Sequence, residues 1–108
     1  MSNAVVISLS EVREVDAQAY LTGPLRRVRL LRLEAGESER LTADTEEHTL
    51  YTLNGHGSAV TASANIPLRH GVALTLPLGG VVSVEAASES LEVFVASLAV
   101  EADLEAGR

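Results

Sequence analysis

His48 stands in the stretch LTADTEEHTLYTLNG, Leu41 to Gly55, beside three carboxylates, Asp44, Glu46 and Glu47. An imidazole next to a carboxylate is the simplest apparatus for moving a proton near neutral pH. A neighbouring carboxylate orients the ring and favours its charged form. His48 would then be the general base or acid, and Asp44 would orient it or take the opposite proton-transfer role. Residues two apart on a strand share a face. Thr42 and Glu46 would therefore bind or place a substrate, and Leu50 and Thr52 would follow His48 inward, leaving Tyr51 and Leu53 outside.

The same residues raise two other readings. His48 could simply hydrogen-bond inside a barrel mouth. It could also ligate a metal, but zinc, iron and manganese sites need several convergent ligands. The stretch offers one histidine with Asp44 beside it, so neither a metal site nor a cofactor is expected here. A displaced site drawing on Glu46, His56 or His70 is the alternative.

The elements that must position these groups read as strands. Val, Ile and Thr suit a pleated surface and are stiff in helices. AVVISL (4–9), RRVRLLRLE (26–34), Leu50 to Leu53 entered from His48, SAVTAS, GVALTLP (71–77), VVSVEA and SLEVFVASLAV (90–100) are the runs. EVREVDAQAYL (11–21) is ambiguous between a helical turn and a loop. Turn signals fall at residues 23, 36, 55, 71 and 79. Asn54-Gly55 predicts a hairpin, and a second polar corner is expected at Asn65 to Pro67. Such spacing predicts a sandwich or barrel.

Composition narrows the function classes. The 108 residues suffice for one small domain, and 46% are hydrophobic. Aromatic residues are few, so the core must be aliphatic. The net charge is -7, with arginine as the only basic residue type. An acidic chain is a poor partner for nucleic acid. Among the arginines, Arg27 and Arg29 share one strand face and Arg26 and Arg32 the other; surface charge or an anion contact would account for them. With no cysteine, disulfides and thiolate chemistry are excluded. No apolar run approaches the ~18 residues of a membrane span, so no membrane role is expected and cytoplasmic residence is the default.

Two segments resemble the cupin family, small jelly-roll or double-stranded β-helix barrels. Gly36 is followed after five residues by Thr42 and Asp44, which stand where that family places paired histidines. His48 stands at the motif's glutamate, with six residues between it and Gly55. In the second motif Gly71, Pro77 and Gly79 keep their intervals, while Val82 replaces the histidine and Ala86 the asparagine. The turn scaffold is kept and the ligands are not. The resemblance implies an all-β cupin jelly roll over 25–100, preceded by an N-terminal strand and possible dimer arm (1–24) and followed by an acidic tail (101–108). It implies a homodimer, with Val82 and Val84 adding apolar wall to the pocket. The function expected is a metal-independent, proton-transferring enzyme of isomerase or cyclase type, acting on a small, partly apolar metabolite. The alternatives are a non-catalytic ligand-binding or dimeric interaction cupin, and a divalent-metal enzyme with an atypical site.

Overall fold

Apolar residues alternate with polar ones along most of the chain, and the alternation decides which side of each strand is buried. The computed structural model describes residues 4–100. Its strands are β1 (Glu14–Asp16), β2 (Leu25–Leu33), β3 (Ser38–Thr42), β4 (Glu46–Asn54), β5 (Gly57–Val60), β6 (Asn65–Leu68), β7 (Ala73–Leu76), β8 (Val81–Ala86) and β9 (Leu91–Ala99). They form two antiparallel sheets, ordered β1-β2-β9-β4-β7 and β3-β8-β5-β6. Between β2 and β9 the chain passes repeatedly from one sheet to the other, which is the jelly-roll path. Among the described residues no helix is long and apolar enough to cross a membrane.

The space between the sheets is filled by aliphatic side chains. Leu31 and Leu33 of β2, Leu50 of β4, and Leu91, Val93 and Val95 of β9 meet Leu41, Val82, Val84 and Ala59 from the facing sheet. Each inner row has period two, as a half-buried strand requires.

Several expected elements differ. Residues 4–8 belong to no strand, and a single helical turn, α1 (Leu9–Val12), follows them. The short β1 then pairs with β2, Val15 opposite Val28. β3 follows the turn expected at AGES, in a segment the run of strands above leaves out, because Leu41 alone carries its apolar face. β4 begins at Glu46, earlier than the apolar pattern suggests. The stretch at Asn65 to Pro67 is a strand, not a corner. Proline is tolerated there because β6 lies at a sheet edge. Asn54-Gly55 is not a hairpin either: β4 and β5 belong to different sheets, and the turn carries the chain across the barrel. The last eight residues, expected to be a tail, lie outside the described residues, as do the first three of the N-terminal segment.

The four motif glycines, Gly36, Gly55, Gly71 and Gly79, all have positive φ. Gly55 carries a second requirement. A Cβ there would lie 2.0 Å from the Ser90 carbonyl oxygen, in the approach to β9.

Candidate functional site at the barrel mouth

The inner row of β4 reads Glu46, His48, Leu50, Thr52, and that of β9 reads Leu91, Val93, Val95, Ser97. His48 lies directly opposite Ser97 in the antiparallel register, and Ser97 lies opposite Arg27 of β2. The inner faces therefore change from apolar to polar along the barrel axis. At the polar end His48 is 8% exposed and Ser97 3%.

The imidazole is held at both nitrogens. Nε2 is 2.9 Å from the Thr42 carbonyl oxygen and Nδ1 is 2.8 Å from Ser97 Oγ. A carbonyl only accepts, so Nε2 carries a proton. In the neutral ring Nδ1 then accepts from the Ser97 hydroxyl; in the charged ring it donates to it. The backbone bond to Thr42 thus fixes the tautomer and leaves Nδ1 as the exchangeable position.

Arginines complete the mouth. Arg27 and Arg29 lie on the inner parity of β2, continuing the row of Leu31 and Leu33. Arg29 Nη2 reaches across to Glu39 of the facing sheet at 2.6 Å. Arg27 Nη2 meets Glu46 at 2.5 Å. An open cleft of about 380 Å³ lies over these groups, lined by Glu14, Arg27, Arg29, Glu39, Arg40, Leu41, Thr42, His48 and Ser97. That volume falls in the range of small-molecule sites, ~300–1,000 Å³.

The expected site residues separate into groups. His48 lines the cleft, and Glu46, on the same face of β4, stands beside it on Arg27 without lining the cleft itself. Thr42 contributes its carbonyl, because its side chain points out from β3 and is exposed. Asp44 is exposed in the turn between β3 and β4. Both imidazole nitrogens have other partners, so the expected His48–Asp44 pair is not the arrangement found. Leu50, Thr52, Val82 and Val84 lie in the closed interior beneath and do not line the cleft. The expected apolar pocket wall is instead packed core, because the aliphatic rows of the two sheets meet there.

Ser97, Arg27, Arg29 and Glu39 are the mouth residues that the sequence reading did not place. A signal for Ser97 existed: it interrupts the apolar row Leu91, Val93, Val95 at the position that turns inward. For the two arginines the shared face was legible, but not which face it was. His56 and His70 lie elsewhere, His56 on Glu89 at 3.1 Å and His70 edge-on to Tyr51. Tyr20 borders a separate apolar cleft with Val5, Ile7 and Val15.

The positions that match the family's metal motif do not fit a metal. Val82 has no donor, Asp44 and Thr42 turn outward, and the ring nitrogens of His48 are engaged. Among the described residues no three histidine, cysteine or carboxylate side chains converge in a way that could hold an ion.

Solved structures share this architecture. A cupin protein from Bacteroides fragilis aligns with a TM-score of 0.75 at 22% identity, over 93% of this chain and 87% of that one. The fold is that of a cupin. A cupin 2 conserved barrel domain protein from Salinispora arenicola aligns with a TM-score of 0.67 at 19% identity, covering 82% of this chain and 75% of its own. A Thermotoga maritima protein described as a predicted oxalate decarboxylase gives 0.66 at 20% identity, over 71% and 69%. No family model matches the sequence. No curated protein matches it. At these identities the likeness establishes the cupin barrel, and function has to be argued from the mouth.

Proposed function

We propose that this cupin binds a small metabolite at its barrel mouth without a metal, and moves a proton on it through Ser97 and His48. One observation carries the reading: a nearly buried imidazole, fixed by a backbone carbonyl on one side, bonds a serine hydroxyl that borders an open cleft. In the forward direction Ser97 Oγ takes a proton from the ligand as its own proton passes to His48 Nδ1. The Nε2–H bond to Thr42 stabilises the resulting imidazolium. Reprotonation at another ligand atom returns the relay to its start. The net change is an isomerisation or a ring closure, with no redox partner required. Thr42 takes the orienting role expected of Asp44.

A second reading has its own support. Both ring nitrogens already have partners, and the interior below is filled, so the mouth could bind without chemistry. Deuterium exchange separates the two. The protein is purified without added metal or chelator, its metal content is measured, and it is screened against a metabolite panel by thermal shift. Each ligand found is then incubated in D₂O. Deuterium incorporation that His48→Gln and Ser97→Ala abolish supports the relay. Binding with no incorporation assigns a ligand-binding cupin. A stoichiometric transition metal lost with His48→Gln overturns the metal-independent reading.

A homodimer belongs to the same proposal. Val5, Val6 and Ile7 make no backbone hydrogen bond among the described residues, and Val6 is 93% exposed. Such a β-branched segment is suited to joining the sheet edge of a second copy.

A further inference from the structure

We infer that the ligand of the mouth is a short dicarboxylate, gripped by Arg27 and Arg29. This rests on the reading of the mouth as a small-molecule site and names the class of molecule.

The first observation is where the charge lies. The chain carries -7 overall, yet at the mouth three arginines, Arg27, Arg29 and Arg40, balance Glu14, Glu39 and the Arg27 partner Glu46. Arg40 makes no ion pair among the described residues. An anion therefore meets less repulsion at this face than the net charge of the chain alone would give.

The second observation is how the inner arginines are paired. Arg32, on the outer face of β2, meets Glu92 through both Nε and Nη2. Arg27 and Arg29 each meet their glutamate through Nη2 alone. A guanidinium has five N–H donors, so most of each fork remains for a ligand. Glu39 and Glu46 hold the two forks in place. Inward-facing ion pairs of this kind are weak contributors to stability, and apolar residues of similar volume would serve the fold as well. Ligand binding gives them a purpose that stability does not.

The third observation is spacing. Arg27 and Arg29 are two positions apart on an extended strand, about 6.7 Å along it. A planar fork takes a carboxylate or a phosphate in a bidentate grip, and the titration below tells the two apart. Two forks with free donors rising from one face of the same strand suit a ligand that carries two carboxylates. Ser97, directly opposite Arg27, then borders the bound chain where a proton would be exchanged.

Calorimetric titration of the full chain with glutarate, butyrate, 1,5-pentanediol and inorganic phosphate tests the assignment. Saturable glutarate binding is expected, with butyrate and the diol weaker by about tenfold or more. Arg27→Gln should weaken glutarate by a similar factor. The double variant Arg29→Gln/Glu39→Gln keeps a neutral pair across the barrel and should do the same. Arg32→Gln, on the outer face, should bind within about twofold of the parent. Phosphate or the diol binding as tightly as glutarate overturns the dicarboxylate assignment. So does glutarate binding that survives both inner-arginine variants. If glutarate fails to bind but neutral metabolites stabilise the protein at the mouth, this inference falls and the small-molecule reading stands. If neither binds, both fall.

Discussion

His48 and Ser97 form a polar contact inside an otherwise aliphatic interior, and such contacts are unforgiving when halved. Replacing His48 with alanine leaves the Thr42 carbonyl and the Ser97 hydroxyl without their partner in a spot nearly closed to water. It also opens a cavity. We expect His48→Ala to lower unfolding free energy by about 2–4 kcal/mol. Ser97→Ala strands only Nδ1 and should cost about 1–2 kcal/mol. Urea denaturation of the two variants checks the order. A larger loss for Ser97→Ala would mean that Thr42 is not the principal anchor of the ring. Asp44→Asn, exposed in its turn, should leave stability within about 0.5 kcal/mol of the parent. A larger change would restore the aspartate to the environment of the imidazole.

At the scale of elements, β9 is the keystone, paired along its length with β2 on one side and β4 on the other. The outer face of this triplet carries its own polar tie. Glu92 accepts from Asn54 of β4 and Arg32 of β2. Hydrogen bonds from the Asn54 amide and then the Arg32 guanidinium hold the Glu92 carboxyl below its ordinary value of 4.5. A depressed folded-state value means that the tie stabilises above the unfolded value and is lost as pH falls through the folded one. The stability difference between parent and Glu92→Gln should therefore be steady near neutral pH and shrink as pH drops below that ordinary value. Denaturation at a series of pH values reads it directly; a gap that widens in acid would contradict the assignment. The β4–β5 corner is the other critical element. Gly55 combines φ of +87° with close passage of the Ser90 carbonyl. Gly55→Ala should cost about 2–4 kcal/mol by the same denaturation assay, whereas a loss under about 1 kcal/mol would show that the corner relaxes.

At the scale of the whole molecule, Val5 to Ile7 make no backbone hydrogen bond among the described residues, and the proposed dimer would use them. Sedimentation equilibrium should report a dimer for the full chain and a shift toward monomer when residues 1–8 are deleted. A full chain that is monomeric at all accessible concentrations would remove the arm from the proposal. The sequence by itself determined that the chain is mostly strand, the absence of cysteine chemistry, the shared parity of Glu46, His48, Leu50 and Thr52, and the four glycine turns. Each follows from local rules: side-chain alternation along a strand, and the need for positive φ at a tight corner. Only the tertiary structure decided that His48 meets Ser97 rather than Asp44, since those partners lie 49 residues apart and are joined by the register of β4 on β9. It alone decided that Arg27 and Arg29 face inward. Parity places two residues on a common side, but only the packing of one sheet on the other decides whether that side is solvent or barrel.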